Sequence, residues 1–496
     1  MSEQLPEVTS FLEAREKSPG VWHEQSEVSS SMIEIAESVG ELTGTWNPVE
    51  IYTPSPESLK QEKEKFLEAF NRGQAHEPVF DYQVARGMDI APQKEELAKK
   101  LAEVRAIKPR SQKDRLFRVA LYTKIRDDLA TCDLVDGINT KDESLIGSAM
   151  RQKYQPANPV LAAYAEQAYR DMIDGPAPKE IDPNQVLLTP KQQKLLKAAK
   201  LDAPQIKEAF EWALQQYGIL RNEANSKGYQ VVISDKATAI DVRDKSEDPM
   251  TVYIPTDRVV SGDKMGELIA HEIEGHARQS MNGMEMFLLG GGKLKMDGEA
   301  LYEGLAKRED ESYRLRFFGE ASGVPAPWYT LAAQDASEGA SFSEVFQNQY
   351  IRRMRVLLKV PPEQELHIDP EKHAEQADKA KKLAWATTYR VMRGHADMSN
   401  PLGFAMSKDI GYLQGWATDK QLGEAGYGGI NEMAVIQSGG LQMLARLGVN
   451  EKDVPHKYKD VVKEYILTVL LPRLESEPQQ PAGETLEGNS HSYTQS

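Results

Sequence analysis

The sequence predicts an α+β protein that is mainly helical, with one small antiparallel sheet. Three observations carry that expectation. Apolar residues recur every three to four positions along most of the chain. One stretch alone, from Tyr229 to Pro255, is broken into short β-branched runs. Hydrophobic residues make up 40% of the 496 positions, enough for a substantial core and against global disorder. At about 100–200 residues per domain, such a length suggests two to four units or one large enzyme domain.

Residues 1–46 are polar apart from an amphipathic stretch, Ser29–Val39, and read as a flexible N-terminal arm. A helical region follows over 47–228. Pro48, Pro54 and Pro56 break the pattern, Pro56-Glu57-Ser58 can open a helix, and Leu59–Phe70 continues it. Helical spacing then returns over Lys94–Ile107, Asp114–Ala130, Pro159–Ile173 and Pro190–Tyr217. The last of these reads as two helices because Pro204 interrupts it. Three strands come next: Tyr229–Ser234, Thr238–Val242 and Thr251–Pro255, with a charged turn, Arg243–Pro249, before the third. A helix from about Asp263 to Ser280, a turn at Gly290-Gly291-Gly292 and a helix from about Asp297 to Phe318 complete the segment that carries the chemistry. Helices dominate again up to Leu471, so the region 229–472 reads as one functional block. Residues 473–496, rich in Glu, Gln, Pro and Ser, read as a disordered tail.

Charge and cysteine usage narrow the function classes. The net charge is −16 and the pI about 5.2, which disfavours nucleic acid as the main partner. Cys132 is the single cysteine, so neither an intrachain disulfide nor a cysteine-rich zinc site can form. The start, Met1-Ser2-Glu3-Gln4-Leu5-Pro6-Glu7, has no basic or apolar character of a signal peptide. No run of about 18 apolar residues is long enough for a membrane span. The expectation is a soluble cytoplasmic protein with neither nucleic-acid nor membrane partner.

The chemistry-bearing motif is His271-Glu272-Ile273-Glu274-Gly275-His276. Imidazole nitrogens and carboxylate oxygens are the usual ligands of a catalytic zinc, and three protein ligands leave one position open. The ion lowers the pKa of water there towards about 7, and a neighbouring carboxylate can take the proton. Glu272 stands beside the first histidine and is the natural base. The spacing is one residue longer than the familiar His-Glu-x-x-His. On an α-helix, i and i+4 lie about 40° apart, but i and i+5 about 140°. His271 and His276 can grip one ion only if the helix relaxes, by a π-bulge or by unwinding before His276. Gly275 stands where relaxation is easiest, because glycine accepts unusual backbone angles. The competing reading is an accidental pair of polar helix residues. The scarcity of histidine (nine in the chain) and the apolar lead-in Met265–Ala270 weigh against it.

A third ligand is required. Glu299, Glu303, Glu309, Asp310 and Glu311 on the next helix are all candidates. Taken alone, Glu303 is better read as an exposed i,i+4 partner of Lys307.

Three patches in order change that balance. His271–His276, then Ala300-Leu301-Tyr302-Glu303-Gly304-Leu305-Ala306, then Tyr389-Arg390-Val391-Met392-Arg393-Gly394 with Ser407-Lys408-Asp409-Ile410-Gly411-Tyr412-Leu413-Gln414-Gly415, resemble one metallopeptidase family. It comprises the microtubule-associated tyrosine carboxypeptidases and bacterial proteins described by a Gln-Glu-Gly-Leu-Ala motif. The resemblance spans roughly residues 47–471. It implies a gluzincin-like core with an active-site helix, His271, His276 and Glu303 as zinc ligands, and Glu272 as catalytic base. It also implies removal of a C-terminal residue, tyrosine or another aromatic, from a peptide or protein. Two departures bear on substrate: Tyr302 replaces the motif's Gln, and Met392 with His395 replaces the usual Phe and second Gly of an Arg-x-Phe-Arg-Gly-Gly pattern.

A carboxypeptidase needs a cation for the terminal carboxylate. Arg393 and Lys408 are the candidates, with Arg390 next and Tyr412 as a donor to the tetrahedral oxyanion. Each also reads as an ordinary solvated side chain. Zinc peptidases of this plan pair substrate backbone with an exposed strand, here Ala239–Val242 or Thr251–Ile254, and Tyr253 reads as packing. The alternatives are a zinc endopeptidase or aminopeptidase, or a non-catalytic regulatory protein with a structural metal site. A second histidine pair, His367 and His373, sits in a charged Pro-bearing loop that suits no metal site. The Gly290–Gly292 run follows a helix, and Lys293 is not followed by Ser or Thr, so it is no phosphate loop.

Overall fold

The computed structural model describes residues 4–17, 28–43, 46, 51–154, 158–175, 186–243, 250–285, 299–320, 325–428, 440–449 and 453–476. They form two compact units. The first comprises Met1–Lys179, Gly283–Leu305 and Gly323–Asp453; the second comprises Glu180–Asn282, Ala306–Ser322 and Val454–Ser496.

The described residues of the first unit are helices and their connections. Helix Pro56–Asn71 opens with Pro56 in its first turn, and Ser55 accepts a hydrogen bond from the Ser58 N–H. Its Phe66 meets Phe342, Phe346 and Trp385 with ring centroids 5.2, 4.7 and 5.3 Å away, an edge-packed aromatic centre. Helix Gln112–Thr140 runs past the expected end at Ala130 and stops only where Lys141 turns left-handed at φ 56°. Its apolar face, including Leu121, Ile125 and Leu134, joins Met32, Ile35 and Val39 in one core cluster. The polar N-terminal residues thus contain two helices with buried faces: Pro6–Lys17 buries Val8 and Phe11, and Ser30–Thr43 buries Met32, Ile35, Ala36 and Val39.

The second unit holds the strands. Pro190–Ala198 and Ala203–Tyr217 are separate helices, as their sequence predicts. Pro204 does not break a helix but occupies the first turn of the second, behind a capping box of Asp202 and Gln205. Lys200–Leu201 (β1) pairs antiparallel with Val260–Ser261 (β5). The other strands are Gln230–Ser234 (β2), Asp241–Arg243 (β3) and Thr251–Pro255 (β4), in the order β2-β4-β3.

The expected antiparallel sheet is mixed. β4 inserts between its predecessors, parallel to β2 and antiparallel to β3. The reason lies in side chains: Val252 and Ile254 are fully buried, so β4 takes the centre, while β3 carries Asp241 and Arg243 and takes an edge. Thr251–Ile254 is therefore not an edge strand, which leaves β3 as the edge among the two proposed. Tyr253 lies under the Arg243 guanidinium, 4.9 Å from ring centroid to Cζ.

The chain then enters the motif helix: an α-helical turn over Gly262–Leu268, a π-helix over Ile269–Ala277, and α-helix again over Arg278–Glu285. The Gly290–Gly292 turn lies outside the described residues. Helix Glu299–Phe318 follows; its residues from Ala306 onward belong to the second unit. At the other end, Val461–Glu464, Tyr465–Leu470 and Leu471–Ser476 form one continuous helix. Of the expected tail, residues 477–496 lie outside the described residues. Among the described residues, no helix is long and apolar enough to cross a membrane.

Candidate metal centre

The i,i+5 spacing of the motif is resolved by the backbone. A π-helix repeats its hydrogen bonds at i→i+5, so residues five apart share a face. Over Ile269–Ala277 the chain adopts that form for nine residues. The rings of His271 and His276 then stand perpendicular with centroids 4.8 Å apart. Glu303 joins them: one ligand atom from each of His271, His276 and Glu303 lies within 4.8 Å of the other two. It is the sole such group of three or more His, Cys, Asp or Glu found among the described residues. Two imidazoles and a carboxylate are the donor set of a catalytic zinc, and three ligands leave a coordination position open. The residues present fit a metal ion.

Gly275 serves this arrangement by a different route from the expected one. Its φ is not in the left-handed region. A Cβ there would stand 2.8 Å from the Cα and 2.9 Å from the Cβ of Ala306. Ala306 follows Glu303 by three residues, so the missing side chain lets the carboxylate helix lie directly against the motif helix. The next motif glycine is just as tight: a Cβ on Gly304 would meet the backbone oxygen of Gly415 at 2.5 Å. Gly304 belongs to the second sequence patch and Gly415 to the third, so those two patches touch backbone to backbone.

The five candidate acids separate cleanly. Glu303 joins the histidines. Asp310, seven residues on and so on the same helix face, accepts a hydrogen bond from His271 Nδ1 at 3.0 Å and one from Lys307 Nζ at 3.1 Å. That carboxylate fixes the imidazole tautomer and leaves Nε2 for a metal, the usual outer support of a ligating histidine. Glu309 turns to Arg308, 2.9 Å away. Glu311 lies outside the group, and the Glu299 side chain lies outside what is described.

The electrostatics follow from burial and Asp310. Burial disfavours a charged His271, but the Asp310 carboxylate outweighs it and raises the pKa to about 9. Burial opposes ionisation of Asp310, yet His271 and Lys307 hold it below the usual carboxylate range. His276 is pushed well below its ordinary value by burial and by His271, so it is neutral and able to ligate.

Glu274, which the sequence reading left without a role, is 1% exposed on the same π-helix. Its Oε1 accepts from Tyr217 Oη at 3.2 Å and from the backbone N–H groups of Val461 and Val462 at 2.9 and 3.2 Å. Burial and the nearby Glu309 raise its pKa to about 8, with Arg278 opposing. Arg278, fully buried, donates its Nε–H to the Glu274 backbone oxygen at 2.9 Å. A carboxylate inside a metal motif is easily taken for a ligand or base; only its contacts reveal a tether.

The third patch forms its own cluster in the first unit. Arg390 holds Asp409 bidentately at 3.0 and 2.6 Å and donates to Tyr329 Oη at 3.0 Å. Burial works against its charge, but Asp409 raises its pKa above the ordinary arginine value. Arg393, 5% exposed, lies 3.8 Å from the same Asp409 and donates its Nε–H to Met406 Sδ at 2.9 Å. Lys408 and Tyr412 flank this pair in sequence and are half-buried. His367 and His373 lie in a loop, His367 exposed beside Glu365, and form no metal group.

No protein-family model matches the chain, and no curated protein matches it.

Proposed function

We propose that this protein is a zinc-dependent metallopeptidase that acts as a carboxypeptidase on a peptide or protein C-terminus. The observation that carries the reading is the gathering of His271 and His276 by a nine-residue π-helix, with Glu303 joining them from the next helix and Glu272 beside His271. His271, His276 and Glu303 would hold the zinc ion, which when bound would supply Lewis acidity toward a scissile carbonyl and toward water. Asp310 keeps His271 oriented. Glu272 takes the proton of the attacking water on its carboxylate and returns it to the leaving amine as the peptide C–N bond breaks, which balances the hydrolysis. Lys408 or Arg393 holds the substrate's terminal carboxylate, with Arg390 behind them and Tyr412 donating to the oxyanion. The edge strand β3 is the place for substrate backbone to pair. The three-patch resemblance supports an aromatic terminal residue such as tyrosine.

One observation favours a second reading, a zinc endopeptidase or aminopeptidase. Arg390 and Arg393 both face Asp409, so part of the proposed clamp is already neutralised. Peptides with free and amidated C-termini separate the two: a carboxypeptidase cleaves only the free form. The primary experiment is metal analysis of wild type, His271→Ala and Glu303→Ala, with peptide hydrolysis by wild type and Glu272→Gln. Near-stoichiometric zinc in wild type, its loss from both ligand variants, and a zinc-loaded but inactive Glu272→Gln are expected. Wild-type protein that takes up no metal would falsify the reading; hydrolysis surviving Glu272→Gln would remove Glu272 as base.

A further inference from the structure

We propose that Arg353 is the cation of a buried anion site among helices Trp328–Ser337, Phe342–Leu358 and Ala374–Met392, and that it takes one small monovalent anion of the chloride type. A guanidinium stays charged at any physiological pH, and a buried charge requires compensation. Arg353 is 7% exposed. Among the described residues its Nη2 donates to Thr387 Oγ1 at 2.6 Å and its Cζ stands 4.4 Å from the Trp328 ring centroid. Neither partner is anionic. Two buried carboxylates of this unit are taken by other arginines. Asp335 is held bidentately by Arg352 at 2.6 and 3.0 Å, and Asp409 by Arg390.

Unsatisfied polar groups lie on the two helices that carry Arg353 and its acceptor Thr387. Arg353 Nε has no hydrogen-bond partner among the described residues. Gln349 lies one turn earlier on the same face, is fully buried, and neither of its amide atoms has a partner there. Thr388, beside Thr387, is fully buried with an unpartnered hydroxyl. Each unmade buried bond costs about 1–3 kcal/mol, so such a group calls for an occupant. One cation sets the occupant's charge at one. The burial of Gln349 and Thr388 argues for a free ion rather than the end of a peptide chain. The contrast with Arg390 agrees: burial pushes Arg353 down to about 10, where Arg390, beside Asp409, is pushed up.

The test uses the full-length protein and does not involve hydrolysis. Thermal unfolding is followed at constant ionic strength while sodium gluconate is replaced by sodium chloride. Wild type should gain about 2 °C, saturably, through ligand linkage. Arg353→Met should unfold at the same temperature in both salts. Gln349→Met, a milder change, should shift the chloride midpoint upward at least tenfold. Crystals soaked in sodium bromide should show an anomalous peak against Arg353. Indifference of wild type to the anion, a chloride gain retained in Arg353→Met, or no bromide peak at Arg353 would each overturn the proposal, the last pointing to an internal water instead. The bromide measurement needs only wild type, so it decides even if the variants fail to fold.

Discussion

Gly275→Ala tests the link between the motif helix and the carboxylate helix. Helix propensity alone favours alanine over glycine by about 1 kcal/mol. The added methyl, however, would stand 2.8 Å from the Ala306 Cα and 2.9 Å from its Cβ. Carbon atoms pack at about 3.5–4.0 Å, so the shortfall is roughly 0.7 Å or more. Both obstructing atoms lie at the root of a helix and cannot rotate away. Separating the helices costs about 1–3 kcal/mol of overpacking, which outweighs the propensity gain at the upper end. The same separation carries Glu303 away from the histidines, and metal affinity falls even where stability is nearly level. Calorimetry with zinc titration reads both quantities. Gly423→Ala is the matched control, since a Cβ there meets nothing within 4 Å and should leave zinc binding alone. Gly275→Ala with wild-type stability and wild-type zinc affinity would refute the reasoning.

Gly304→Ala should be worse tolerated, because a backbone oxygen of Gly415 obstructs its Cβ; retention of the wild-type Tm would show that the two helices slide freely. Asp310→Asn should weaken zinc binding about 10–100-fold by removing the outer support of His271, as measured by competition with a chelator, and unchanged affinity would count against that role. Arg390→Ala should lower stability by up to about 3–5 kcal/mol by removing the bidentate partner of the buried Asp409 and leaving it only Arg393, 3.8 Å away, whereas Lys408→Ala should leave Tm in place and raise KM for free C-termini; the reverse pattern would exchange their roles. His395 is buried against Phe404 with ring centroids 4.0 Å apart, and burial pushes its pKa down to about 3. The unfolded chain therefore binds a proton below about pH 6.5 that the folded chain refuses, so His395 makes stability fall as pH drops from about 6.5 towards 3. Glu143, 4.0 Å from its Nδ1, faces it from the neighbouring helix and titrates higher than usual because it too is buried. His395→Phe should flatten the acid limb of a Tm–pH profile; an unaltered limb would assign it to other groups.

What could be read in advance follows from how far each signal reaches along the chain. The i,i+5 histidine spacing is local, and it demanded the distorted helix that Ile269–Ala277 forms. Helix starts at Pro56 and Ala203 were equally local, written in proline and capping residues. Strand direction is not local: alternation places a strand but says nothing of its neighbour, so the parallel pairing of β2 with β4 was missed. Gly275 was noticed for backbone freedom and turned out to matter for proximity, because Ala306 is 31 positions away and no pattern within the motif announces it. Asp310 stood among the possible ligands, and only its 3.0 Å bond to His271 Nδ1 distinguishes orienting a ligand from being one. Glu274 was invisible for the same reason. Its backbone partners, Val461 and Val462, lie nearly two hundred residues downstream.

That last contact has a bearing on biosynthesis. The Glu274 carboxylate closes on Val461 and Val462 across 187 and 188 residues. During translation the motif emerges long before the segment that anchors it, and long-range contacts form last in any case. A nascent chain holding both histidines and Glu303 still lacks the amide groups that tether the middle of the π-helix. The tether is thereby completed only once Val461 and Val462 have been made, and a product truncated ahead of Val461 would carry His271, His276 and Glu303 yet lack it.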